Sequence, residues 1–331
     1  MTSARADNFD LLRLLASLMV LWSHQHALLA VPEASVPVFN STLGLIVFFA
    51  ISGYLNTKSL LRNPSWWRFL VRRAYRIFPG LLGAAVFCVA LGAVLTTSDF
   101  LTFLSAVPRF VFKNATVLFG IDYKLPGVFE SNPYPGAVNG SLWTLPIEVK
   151  FYIYLALIAV AVRYRWPLFL GSMLAILLAV LIWFQVTSSD TQVAFSHQFA
   201  VVFAVGCLLA LLERYRGLPI AAAILMVLAG AAWLAGGAAA LLPATALIVV
   251  VLGKLGSPMW LRPPLDISYG VYLYAFPVQQ FVAGLGLTFW PSLALSTSAT
   301  LVLAVASAIF IELPALQRRL RAIPKVREQA V

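Results

Sequence analysis

The chain is 331 residues long, 61% hydrophobic and only 11% charged, with a mean hydropathy of +0.91. A soluble protein carries about a quarter charged residues, so composition excludes a soluble enzyme and points to an integral membrane protein. Its apolar stretches have the length of spanning helices, and the alternating ten-residue segments of a membrane barrel are missing, so the class is all-α.

The apolar segments predict about ten transmembrane helices, at 9–30, 41–60, 77–96, 142–162, 167–186, 196–212, 219–235, 240–255, 267–287 and 294–313. The first is too long for a cleaved signal peptide and is interrupted by Arg13. The seventh and eighth are the weakest, because Gly236, Gly237 and Pro243 crowd the turn between them. The net charge is +11, and 18 of the 23 basic residues fall on one side when the segments are threaded as spans. The positive-inside rule then places both termini in the cytoplasm. The basic clusters so explained need no nucleic-acid partner. The chain reads as a single transmembrane domain over 1–331. Within it, 97–141 is an outer loop and 314–331 a basic cytoplasmic tail. In the loop, Phe100 to Phe119 has the character of a helix lying at the membrane surface. Lys124 to Gly140, rich in Pro, Gly and Asn, reads as an ordered loop. Cys88 and Cys207 stand alone in separate apolar segments and give neither a metal spacing nor a disulfide pattern, so both read as small core side chains and no metal site is expected.

The first segment holds the polar residues that most need an explanation. Asp10 and Arg13 lie near its start, and Ser23, His24, Gln25 and His26 near its end. On a helix, Arg13 and His24 differ by three turns plus roughly 20°, so they share a face about 16 to 17 Å apart along the axis. A cation and an imidazole on one face of a membrane helix are costly to bury and are usually functional. By counting, His24 lies about six residues from the outer end of its span and Glu148 about six residues into the fourth span, at similar depth. A carboxylate beside a neutral imidazole orients the ring and stabilises the imidazolium, the arrangement of a general base. Lys150 is about 200° round the helix from Glu148 and does not face it. His26, on the far side from His24, and His197, at the mouth of the sixth span, read as packing and interfacial side chains. Arg68, Arg72, Arg73 and Arg76 fall in a loop before the third span, interleaved with aromatics. Guanidinium groups bind phosphate bidentately and stack on flat rings, so this run suits an anionic ligand, with lipid headgroups the simpler occupant.

These pieces together resemble the membrane-bound acyltransferase type 3 family over nearly the whole chain. The resemblance rests on Arg13 with His24, on Phe48-Phe49-Ala50-Ile51-Ser52-Gly53-Tyr54-Leu55, and on Arg72-Arg73-Ala74-Tyr75-Arg76-Ile77-Phe78-Pro79. It continues in Ser141-Leu142-Trp143-Thr144-Leu145-Pro146-Ile147-Glu148 with Phe151-Tyr152, in Ser268-Tyr269-Gly270-Val271-Tyr272-Leu273, and in Ile311-Glu312-Leu313-Pro314. Many relatives carry a His near Tyr274 or Ala275, and this chain has none there. The hydrolase-like domain fused to some relatives is also missing.

The resemblance implies a membrane O-acyltransferase of the bacterial inner membrane. It would move an acyl group, acetyl by default, from acyl-CoA to a hydroxyl of a carbohydrate or lipid-linked glycan. Coenzyme A is a substrate here, and no bound cofactor is expected. Arg13, Arg72, Arg73 and Arg76 would hold the coenzyme A phosphates. His24, oriented by Glu148, would deprotonate the acceptor or carry the acyl group transiently. Ser52, Asn139, Ser141 and Tyr269 are candidates for the acceptor or the oxyanion, with helix-to-helix hydrogen bonding as their structural alternative. Gly53 and Gly270 read as sites of close helix packing. The competing reading is a proton-coupled transporter or flippase, which would move substrate without consuming a thioester.

Overall fold

The computed structural model describes residues 7–32, 40–186, 191–214, 241–256, 258 and 263–322. The described residues are mainly helical and contain no strand. In order they form α1 (Phe9–Leu28), α2 (Ser41–Arg62), α3 (Trp66–Leu95), α4 (Phe100–Thr116), a 3₁₀ turn (Gly140–Thr144), α5 (Leu145–Ala161), α6 (Trp166–Val186), α7 (Thr191–Arg214), α8 (Leu241–Lys254), α9 (Ser268–Ala283), α10 (Phe289–Ser307), a π-helical turn (Ala308–Glu312) and α11 (Leu313–Ala322). Five of these stretches are long and apolar enough to cross a membrane: α2, α3, Gly140–Ala161, Phe195–Arg214 and Phe289–Arg318. The protein is accordingly an all-α, multi-helix membrane protein. The expected seventh span at 219–235, Gly236 and Gly237, and the end of the basic tail lie outside the described residues.

One local expectation is corrected. The arginine run 68–76 is not a loop: α3 begins at Trp66 and continues unbroken for 30 residues. At 3.6 residues per turn, Phe69, Arg72, Arg73 and Arg76 then share one face. The apolar run alone marked only where the hydrocarbon-length part begins, because charged residues lower hydropathy without lowering helix propensity.

The chain forms two compact units, each assembled from separated segments. The first takes α1 up to Ser23, α2, and α5 from Ile147 through α8 to Ser268. Its centre is the crossing of α2 and α7, made close by glycine on both helices. A Cβ on Gly53 would stand 2.9 Å from the Phe203 carbonyl carbon, and one on Gly206 would stand 2.9 Å from the Tyr54 amide nitrogen. Small residues at such crossings let backbones approach where no hydrophobic force separates helix from lipid. Phe49 stacks on Phe199 at 4.5 Å and meets Phe151 edge-on at 5.6 Å. The start of α1 is tied to the end of α8, where the Asn8 amide donates to the Gly253 carbonyl at 2.8 Å. Lys58 and Lys254 each lie 3.2 Å from Glu213. Cys207 is buried and donates to the Gly53 carbonyl at 3.5 Å.

The second unit takes residues 24–32, Trp67–Pro146 and Tyr269 onward. Its core joins Cys88 on α3 with Phe103 and Phe110 on α4 and with Leu125, Val128, Phe129 and Val138 of the following segment. Asp99 caps α4 by accepting from the Thr102 amide at 2.9 Å, and these bonds hold its carboxyl below the usual range. The Pro- and Gly-rich stretch after α4 is an ordered loop, as its composition suggests. Asn114 brackets Asp122 through its amide and carbonyl at 3.0 and 2.8 Å. The Gln280 amide donates to the carbonyls of Tyr134 and Ala137 at 2.9 and 2.8 Å. Gly127 takes φ +70°, a left-handed conformation that glycine adopts without penalty. Gly270 packs α9 on α10, with a Cβ placed 2.8 Å from the Ala304 Cα.

These crossings predict that Gly53→Val is overpacked by about 1–3 kcal/mol. The thermal midpoint of the purified protein in nanodiscs should fall by several degrees. An unchanged midpoint would mean that α2 and α7 do not meet there.

Candidate functional site

In the second unit, His24 emerges on the last turns of α1. Its Nδ1 lies 3.5 Å from the Ser141 Oγ, and its ring meets Phe276 edge-on at 5.2 Å. Ser141 sits at the start of the 3₁₀ turn and is 1% exposed. Four hydrogen bonds pin that turn. Asn139 accepts from the Ser141 amide at 3.2 Å and donates to the Leu273 carbonyl at 2.9 Å. The Tyr272 hydroxyl donates to the Ser141 carbonyl and pairs with the Thr144 hydroxyl at 2.6 Å. Gly140 leaves room for Phe276, since a Cβ there would stand 2.5 Å from the ring. The structure thus brings together three residues that the sequence singled out, His24, Asn139 and Ser141. Next to His24, Gln25 is fully buried, donates to Ser292 and accepts from Gln279, both at 2.8 Å. This fixes the roll of α1 about its own axis where the imidazole projects. His26 is 7% exposed and packs on Phe289 at 4.4 Å, in keeping with a packing role.

The same unit holds the arginine face of α3. The Arg73 guanidinium lies over the Phe69 ring at 5.8 Å, and Arg76 lies over Tyr269 at 5.4 Å. Arg76 also pairs with Glu312 at 3.0 Å. Glu312 is 4% exposed, closes the π-helical turn and accepts from Ser307 at 3.2 Å. Such turns distort a helix locally and often mark functional positions. Tyr269, a candidate for acceptor or oxyanion, donates its hydroxyl to the Ile77 carbonyl at 2.9 Å and so braces α3 against α9.

In the first unit, Arg13 is clasped by two carboxylates, Asp10 at 2.7 Å and Asp266 at 2.8 Å. Asp266 is held in turn by the Ser268 hydroxyl at 2.6 Å. Glu148 lies in the first turn of α5. Its Oε1 accepts from Ser52 at 3.2 Å and from the Tyr152 hydroxyl. Asn56, one turn along α2, donates to the Ser52 Oγ at 3.0 Å. Lys150 is exposed, which agrees with its facing away from Glu148.

Sequence reasoning did not assign roles to Asp266, Glu312, Tyr152, Asn56, Tyr272 and Gln25. Two of these were within reach, because Tyr152 follows Glu148 and Asn56 follows Ser52 by four residues, the spacing of neighbours on a helix. Asp266 was not, at 253 residues from Arg13.

Comparison with known proteins bears on this arrangement. The acyltransferase 3 family model, described as an acyltransferase domain, matches residues 7–312. The chain is 32% identical over 316 residues to an O-acetyl transferase of Shigella phage Sf6, covering 90% of this chain and 92% of that protein. It is 30% identical over 358 residues to Nodulation protein 10 of Rhizobium leguminosarum bv. viciae, covering 96% and 95%. No solved structure matches.

Removing Glu312 takes the paired carboxylate from a half-buried Arg76 guanidinium. Glu312→Ala should cost about 3 kcal/mol, read as a clear fall in thermal midpoint. A midpoint equal to wild type would mean that the pair contributes nothing.

Proposed function

This chain belongs to the acyltransferase 3 family, and we propose that it moves an acetyl group from acetyl-CoA to a hydroxyl of a carbohydrate or lipid-linked glycan. It does so as one transmembrane domain of ten spans in a bacterial inner membrane, with both termini in the cytoplasm, 97–141 outside and the tail 314–331 inside. That it is an acyltransferase homologous to an O-acetyltransferase is established by the relatives. The donor, the acceptor and the residue roles are our assignment.

The observation that carries the assignment is α1. One unbroken helix bears Arg13 at its start and His24 eleven residues on, with the Ser141 hydroxyl 3.5 Å from the imidazole. At about 1.5 Å rise per residue the two are about 16 to 17 Å apart along the axis, a span that the extended arm of coenzyme A can cover. Arg13, Arg72, Arg73 and Arg76 bind the donor phosphates, because guanidinium groups meet phosphate oxygens bidentately. His24 takes the proton of the acceptor hydroxyl, with Glu148 as the carboxylate partner of the base. The acceptor oxygen attacks the thioester carbonyl carbon, the carbon–sulfur bond breaks, and the imidazolium returns its proton to the leaving thiolate. Ser141 is the candidate donor to the oxyanion, held by Asn139 through its own backbone amide. The hydroxyls of Ser52 and Tyr269 serve Glu148 and the Ile77 carbonyl.

Protein purified in nanodiscs tests the scheme with acetyl-CoA, through thermal protection and the slow release of free thiol. Arg72→Ala should weaken binding about tenfold or more, the size of a charge-assisted hydrogen bond. His24→Ala should bind as wild type yet release thiol at least about a hundredfold more slowly. Wild-type turnover in His24→Ala would remove the imidazole from the mechanism.

A further inference from the structure

The polar cluster around Glu148 contains more than the proposed chemistry uses, and its hydrogen bonds run one way. The Asn56 amide nitrogen donates to the Ser52 carbonyl at 2.7 Å and to the Ser52 Oγ at 3.0 Å. A flipped amide would press its oxygen against the Ser52 carbonyl, so the orientation is fixed. Ser52, receiving from Asn56, has its single hydroxyl proton left to give, and it lies 3.2 Å from Glu148 Oε1 and 3.3 Å from the Tyr152 hydroxyl, which itself donates to that carboxylate oxygen. Ser52, Asn56 and Tyr152 are 9%, 2% and 6% exposed, so water does not compete strongly for these bonds. All the bonds of this cluster to the carboxylate end on Oε1, and Oε2 takes no part in them.

We propose that Asn56, Ser52 and Tyr152 are positioning residues that lock the Glu148 carboxylate with Oε1 occupied, presenting Oε2 as its working oxygen. This reassigns Ser52 from acceptor binding to a helix-to-helix brace between α2 and α5. It rests on the reading of Glu148 as the partner of the base. A half-buried carboxylate with one oxygen tied by two hydroxyls cannot rotate about its terminal bond without breaking both, which is how a supporting shell holds a functional group in place.

The test compares Tyr152→Phe, Ser52→Ala, Ser52→Thr and Glu148→Gln in nanodiscs, with acetyl-CoA as the probe and thiol release as the readout. Tyr152→Phe and Ser52→Ala should each lower kcat about tenfold, the size of one hydrogen bond. KM for acetyl-CoA should stay within about twofold. Ser52→Thr, which keeps the hydroxyl, should restore kcat. In the Glu148→Gln background, Tyr152→Phe should add nothing, because it acts only through that carboxylate. An equal loss in both backgrounds, or a change in KM alone, overturns the relay and leaves the reading of Glu148 intact. A silent Glu148→Gln overturns both. Infrared difference spectra of wild type against Glu148→Gln give a readout independent of turnover. Tyr152→Phe should shift the Glu148 carboxyl band, and an unmoved band overturns the relay.

Discussion

An ionisable group placed among apolar helices must find a partner inside the protein, because lipid offers none. That requirement organises both units. Arg13 lies between Asp10 and Asp266, Lys58 and Lys254 flank Glu213, and Arg76 meets Glu312. Glu148 has two hydroxyls on one oxygen. Each pairing joins segments far apart in the chain or fixes one helix turn, so satisfying charge and assembling the helices are one task. A pair of this kind adds little net stability over an apolar replacement, but breaking one half leaves a buried charge. The helices are therefore specified as much by what cannot be left alone as by what attracts.

Close approach supplies the second constraint. Gly53 and Gly206 at the crossing of α2 and α7, and Gly270 beside Ala304, let backbones touch. The polar groups on those helices then meet at hydrogen-bonding distance rather than across a gap. The 3₁₀ turn that carries Ser141 depends on the same economy. Gly140 makes space for Phe276, while Asn139 and Tyr272 take up the turn's backbone groups. His24 thus faces a surface whose polar atoms are already committed in direction, the preorganisation an oxyanion site needs.

Much of this was legible in the sequence, and α1 shows where legibility stops. Its span, Asp10 beside Arg13, and the shared face of Arg13 and His24 follow from helical spacing alone. That Asp266 completes the clasp does not, since nothing local in the sequence links residues 253 positions apart. The nearness of His24 to Ser141 belongs with the same long-range facts. The arginine face of α3 failed in a different way. Hydropathy marked the apolar part of the helix and took its charged first turns for a loop, although their spacing already put Arg72, Arg73 and Arg76 on one side. Tyr152 and Asn56 stood one helical turn from residues already chosen, a neighbour relation that the sequence displays and that polar residues in a span make worth reading.

The most direct test follows the acetyl group itself. Proteoliposomes of the purified protein would be given acetyl-CoA labelled in the acetyl carbon, with a bacterial lipid-linked glycan extract as acceptor. Hydroxylamine-labile label would then be counted in the glycan fraction. The account predicts ester-bound label in that fraction, above empty liposomes, with free coenzyme A released in equal amount. Label that stays on coenzyme A, or passes only to free acetate, would contradict it.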